Sequence, residues 1–217
     1  GIKEPKGSDV TTFLQLNPKF TDASRISCTV ILKKLSAKNV RLELNNGRVF
    51  PTLYRPFARQ MGYFERALND RQYQLPSMFP TLEQGNIGFV TVGAGESLGS
   101  YVLATDLLPD LHVIATSQFF PRFTWSPVDS DDGGLFGEGN VVKQGEASVY
   151  GQVGEVVDGY VRVDNITDAI KQIYRDALGS DVSGDDIFHF VYGKLHDPGY
   201  RTKYAADLKK MLPHIET

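Results

Sequence analysis

The 217-residue chain has one cysteine (Cys28), one tryptophan and four histidines, none of them before His112. A single thiol excludes an intramolecular disulfide and any Cys-rich zinc site. No apolar run approaches the roughly 18 to 20 residues of a membrane-spanning helix, and the first residues lack the basic-then-apolar pattern of a secretory leader. The chain opens Gly1-Ile-Lys-Glu-Pro5 without a methionine, the start expected of a fragment or a processed protein. These absences place the expectation in the cytoplasm, with no membrane among the partners. What is present is ordinary for a globular protein, 41% hydrophobic and 23% charged residues, with length for one large domain or two small ones.

Positive charge is short overall, with a net charge of −3, yet it is concentrated. Residues 1–75 carry 13 Lys+Arg against 6 Asp+Glu, a local net of +7, and the remaining residues hold a net of −10. An asymmetry of this size is compatible with a polyanion partner for the basic part. It permits nucleic-acid binding without establishing it.

Residues 1–24 read as a polar lead-in arm, broken by Gly1, Pro5, Gly7 and Pro18. The β-branched run Arg25 to Lys34 and the alternating Val40-Arg-Leu-Glu-Leu44 predict strands. Asn46-Gly47 is the favoured type I′ pair, so a hairpin is expected between 40–44 and a returning strand through Val49-Phe50 toward Leu53-Tyr54. Pro56 ends that strand, because it lacks a ladder donor and restricts its predecessor. Asn86 to Val92 and His112 to Thr116 read as buried strands, with an apolar piece around Tyr101-Val-Leu103 between them. Residues 126–154 combine Asp129 to Asp132 with seven glycines and predict a long acidic loop.

Beyond that loop the pattern turns helical. Asp164 or Asn165 is the expected cap of a first helix with Ile166, Ile170, Ile173, Tyr174 and Ala177 on its apolar stripe and Gly179 at its stop. Ser183-Gly-Asp-Asp186 has capping-box spacing for a second helix facing inward with Phe188, Val191, Tyr192 and Leu195. A third follows Pro198, with Tyr200, Tyr204 and Leu208. The fold class expected is α+β: a lead-in arm (1–24), a strand-rich part (25–125), a Gly-rich acidic loop (126–154) and a helical part (155–217).

Enzyme chemistry has one candidate motif. Gly95-Glu-Ser-Leu-Gly99 matches the nucleophile elbow of α/β-hydrolases after a predicted strand, which makes a small serine esterase using Ser97 the alternative reading. Asp106 or Asp110 with His112, His189 or His196 would complete a triad. Against it, residues 1–85 show no parallel strands with crossover helices, and no His-Gly-Gly-Gly loop precedes the motif. Gly93-x-Gly95-x-x-x-Gly99 also lacks the βαβ frame of a dinucleotide site. We read the segment as a structural turn, and no catalytic residue is assigned. His189 and His196 lack the partners of a metal site, and Asp129, Asp131 and Asp132 lack EF-hand spacing.

The closing segment carries a more specific pattern: Ile187-Phe188, Tyr192-Gly193-Lys-Leu-His196, Pro198, Tyr200-Arg201 and Tyr204. With Tyr54-Arg-Pro-Phe57, followed by Arg59 and Tyr63-Phe64, and with Ser117-Gln-Phe-Phe-Pro-Arg122, it resembles the C-terminal target-recognition domain of type ISP restriction-modification enzymes. The three stretches occur in the family's order and frame residues 25 to 213. The chain departs from the pattern at His189-Phe190 and at His214, where the family commonly has Arg.

The resemblance implies a sequence-specific duplex-DNA recognition module that is not itself an enzyme. Its partners would be duplex DNA and the methyltransferase and helicase-nuclease domains of a bacterial parent chain. No cofactor is expected in this chain; S-adenosylmethionine, ATP and Mg would serve the parent's other domains. Base contacts need forked or bidentate groups, and the candidates are Arg55, Arg59, Arg66, Gln118 and Arg122. Candidates for phosphate contacts are Lys33, Lys34, Lys38, Arg41 and Arg71. The closing aromatics Phe188, Tyr192, Tyr200 and Tyr204 are expected to pack a core or a neighbouring domain rather than stack on bases.

Overall fold

A computed structural model describes residues 12, 15–20, 30–38, 40–43, 45–69, 71–93, 101–128 and 154–215. The chain forms two compact units, one of Gly1–Phe50 with Met61–Tyr73 and one of Pro51–Gln60 with Gln74–Thr217. Among the described residues no helix is long and apolar enough to cross a membrane.

In the first unit the expected strand over 25–34 is a helix where it is described, α1 (Val30–Ala37). The apolar Ile31, Leu32 and Leu35 are half-buried while Lys33 and Lys34 are exposed. That spacing follows the helical period of 3.6, which outweighs the β-branched composition. Residues 40–43 form no strand, and the hairpin expected at Asn46-Gly47 is replaced by a 3₁₀ turn over Asn46–Arg48. The Asn45 side chain explains the difference: its Oδ1 accepts from the Gly47 N–H at 2.9 Å while the Arg48 N–H bonds the Asn45 carbonyl at 3.0 Å. An Asx turn of this kind competes with the ladder for backbone groups. Phe50 and Phe64 meet edge to face with centroids 5.7 Å apart, and Arg48 pairs with Glu65.

The hairpin that does form lies one strand later. Strand β1 (Val49–Arg55) and β2 (Ala58–Tyr63) are neighbours in a sheet of order β2-β1-β5, joined only by Pro56 and Phe57. A connection that short suits antiparallel strands alone. In the second unit follow a short helix α2 (Leu75–Met78), β3 (Gly88–Val92), β4 (Val102–Thr105) and β5 (Leu108–Pro109), which pairs parallel with β1. The strand expected at 112–116 is a bend with Ala115 at φ 51°, and the strand β6 (Ser117–Pro121) starts one residue after it. Ser117 Oγ donates to the Ile114 carbonyl at 2.9 Å, which closes the bend.

Strand β3 is buried along its whole length between antiparallel β4 and β6. One face turns Phe89 and Val102 toward a core with Phe188, Leu195, Tyr200 and Leu208; Val90 belongs to a second core with Leu53, Leu107 and Val113. Gly88 is required here, because a Cβ would lie 2.2 Å from the Phe119 ring. The chain leaves β6 through Arg122 directly into β7 (Phe123–Pro127), which joins β8 (Val156–Val157) and β9 (Tyr160–Asp164) in a sheet of order β7-β9-β8. Buried Asn86 ties the edge, its Nδ2 donating to the carbonyls of Met78 and Phe123 at 2.9 and 2.8 Å.

Three helices close the chain: α3 (Asp168–Leu178), α4 (Gly184–His196) and α5 (Pro198–Lys203). The cap of α3 is Thr167 rather than Asp164 or Asn165, because Asp164 belongs to β9 and its carboxylate is engaged elsewhere. Of the expected α3 stripe only Tyr174 is buried, while Ile170 and Ile173 are 42% and 50% exposed. Helix α4 has the expected capping box, with Ser183 and Asp186 bonding each other's backbone N–H. Its Phe188 and Leu195 are buried and Val191 and Tyr192 pack beside them. The α+β architecture, strands in the middle and helices at the end, is as expected.

Candidate nucleic-acid interface

The tip of the β1–β2 hairpin gathers Tyr54, Arg55, Phe57 and Arg59 within six residues. Pro56 and Phe57 make the turn, and Phe57 has φ 62°. Proline followed by a positive φ is the signature of a type II turn, whose second of these positions ordinarily takes glycine or asparagine. Phenylalanine in the left-handed region costs on the order of 1–3 kcal/mol. The ring gains no burial in return: Phe57 is 86% exposed, and no large apolar side chain among the described residues is more so.

The flanking arginines differ. Arg55 lies over the Tyr54 ring at 4.0 Å, donates to the Tyr54 carbonyl at 2.6 Å and stands 3.5 Å from Asp110. It is held in place but still about half exposed. Arg59 is exposed and has no acidic partner among the described residues. Gln118, opposite Thr91 on β6, is also exposed.

In the first unit Lys33 and Lys34 lie on the exposed side of α1, with Lys38 at its end and Arg41 beyond. Arg66 and Arg71 are exposed as well, Arg71 with φ 59°. None of these six has an acidic partner among the described residues. Cations without such partners are available to an external anion.

Arg122, expected among the base contacts, lies inside the fold. It is 5% exposed, and its Nε donates to Asp185 at 2.7 Å while Nη1 and Nη2 donate to Asp164. Lys171 Nζ reaches the same Asp164 at 2.9 Å. Burial pushes the Asp164 carboxyl up, but hydrogen bonds from Arg122, Lys171 and the Ile166 N–H, with the Arg122 charge, outweigh it and hold the pKa below its ordinary value. A Cβ on Gly184 would sit 2.4 Å from Arg122 Nη2, so the glycine opening α4 makes room for the guanidinium. In this arrangement all three guanidinium nitrogens are occupied within the fold. Arg122 therefore holds a corner where β6, β9 and α4 meet, rather than presenting a fork to a base edge.

Among the described residues no three His, Cys, Asp or Glu side chains gather as a metal site. Ser97 and the whole Gly95 to Gly99 motif lie outside the described residues, as do Cys28, Asp129 to Asp132 and most of the lead-in arm and acidic loop. The strand ahead of the motif, β3, has antiparallel neighbours on both sides. An elbow needs a strand in a mainly parallel sheet, so the esterase reading loses its frame.

The family model of the Type ISP C-terminal specificity domain matches residues 6–217. The chain belongs to this family. No curated protein sequence matches it. Among solved structures, this specificity domain is similar to part of the "cryoEM structure DrdV-DNA complex", with TM-score 0.69, 28% identity and coverage of 95% of this chain and 18% of that one. It is similar to the "ATP-dependent Type ISP restriction-modification enzyme LlaBIII bound to DNA" with TM-score 0.68 and 24% identity, over 95% of this chain and 12% of that one. A third is a "nuclease-deletion mutant of the Type ISP restriction-modification enzyme LlaGI in complex with a DNA substrate mimic", with TM-score 0.58 and 29% identity, over 85% and 13%. The specificity domain thus spans less than a fifth of the length of each of these chains.

In the sequence Phe57 figures only within the Tyr54-Arg-Pro-Phe57 stretch and is given no role of its own. The signal lies in Arg55-Pro56-Phe57-Ala58-Arg59, a proline-led turn between two arginines with a large apolar residue where glycine is expected.

Proposed function

We propose that this specificity domain reads the sequence of duplex DNA for a larger bacterial restriction-modification enzyme of the cytoplasm. It positions the target for an adenine methyltransferase and a helicase-nuclease carried by other parts of that enzyme. S-adenosylmethionine, ATP and Mg serve those parts, and this chain contributes recognition alone. The observation that carries the reading is the family match over residues 6–217, together with DNA in the similar structures. The exposed cations that lack acidic partners among the described residues agree with it. Lys33, Lys34, Lys38, Arg41 and Arg71 are assigned to phosphates; Arg55, Arg59, Arg66 and Gln118 are assigned to base edges, since Arg suits guanine and Gln suits adenine.

The test is selection from a pool of random duplexes by the purified chain. A common sequence should be enriched, and Arg59→Ala should relax preference at one base pair by about 1–3 kcal/mol. A pool that stays random through repeated rounds would remove sequence reading from this chain.

A further inference from the structure

We propose that Phe57 is an apolar wedge, inserted between stacked base pairs of the duplex whose base edges Arg55 and Arg59 contact. The proposal rests on the DNA-reading function above and names how one part of that surface engages its ligand. Three observations converge on the hairpin tip. Phe57 is 86% exposed in a two-residue turn. Its backbone is left-handed at φ 62°, where glycine would relieve the constraint. Arginines stand two residues away on either side, and Arg59 has no acidic partner among the described residues.

The chemistry selects the occupant. An apolar tip flanked by cations suits a surface that offers an apolar slot bordered by anions. The gap between two base pairs is such a slot, with the phosphates on its rim, and Phe is among the side chains that enter base steps and unstack them. A tight hairpin is narrow enough to approach a groove, and its two strands fix the direction of the turn. Arg55 adds rigidity, because its guanidinium is stacked 4.0 Å over Tyr54 and bonded to the Tyr54 carbonyl. A docking loop for a protein partner would have the same exposure, but two arginines, one without an acidic partner among the described residues, favour the polyanion.

The experiment uses a duplex enriched from a random pool by the wild-type chain, with 2-aminopurine placed in turn through the enriched site. Insertion should raise fluorescence at one step, since unstacking relieves its quenching. Phe57→Ala and Phe57→Gly should abolish that rise and weaken binding by about tenfold, while the dependence of affinity on salt stays as in wild type. Phe57→Gly should also melt at or above the wild-type temperature, which separates lost insertion from lost fold. A duplex that is enriched and bound with no fluorescence change at any step overturns the wedge and leaves DNA reading intact. The same holds if the rise survives in Phe57→Gly, or if that variant binds as wild type. Failure to enrich any sequence overturns the reading itself and the wedge with it.

Discussion

Arg122 shows how one residue can look like a reader of bases and serve the fold instead. Its guanidinium is buried between Asp164 and Asp185, and Gly184 leaves the space it fills. Replacing it with Met removes one partner of a buried pair, which typically costs about 3–5 kcal/mol. Asp164 keeps Lys171, so urea unfolding of Arg122→Met should show a loss near the lower end of that range. A loss below about 1 kcal/mol, the level of a surface pair, would mean that the corner does not depend on the arginine. Acid should attack the same group. The Asp164 carboxyl is held below its ordinary value of 3.8 in the folded chain, so the unfolded state takes up its proton first as pH falls. The stabilisation is complete above that value and is lost as pH drops through the lower folded one. Unfolding followed from pH 5 downward, measured as the free energy at each pH, should therefore fall less steeply in Asp164→Asn than in wild type. Equal slopes would show that this carboxylate is not depressed.

Among elements, local chemistry is legible where the deciding groups are close in sequence. The capping box of α4 needs only Ser183 and Asp186, three residues apart, and the closing helices carry their own apolar spacing. Strand β3 is legible because burial on both faces makes a nearly continuous apolar run, interrupted by Thr91. Sequence and structure part where a local preference meets a competing interaction. Asn46-Gly47 is a strong hairpin pair, but the Asn45 side chain and the Tyr63 hydroxyl claim the backbone there. Val30 to Lys34 is β-branched at its start, yet its apolar residues return at helical spacing through Leu35. On α3 the spacing of Ile170 and Ile173 suggests core, but which face a helix buries depends on neighbours far along the chain. For the candidate site the residue types are legible and their availability is not. Arg59 and Arg122 are equivalent in sequence terms, and only the fold brings Asp164 and Asp185 onto one of them.

At the scale of the molecule, the split of charge between the two parts of the sequence gives a prediction independent of any single base contact. The cations Lys33, Lys34, Lys38 and Arg41 lie in the first unit, without acidic partners among the described residues. If they meet phosphates, each meeting releases condensed counterions, and log K falls with log salt by about 0.9 per phosphate. Changing all four to Gln should flatten the measured slope by about 0.9 for each phosphate no longer neutralised, and weaken binding to every duplex alike. Sequence preference should survive, because phosphates are the same at every step. Arg59→Ala should do the reverse, shifting preference at one position with a small change in slope. Binding curves for both variants on the enriched duplex and on an unrelated one, at several salt concentrations, separate the two roles. An unchanged slope in the fourfold variant would take these cations off the DNA, and a shift in preference would move them from the phosphates to the bases.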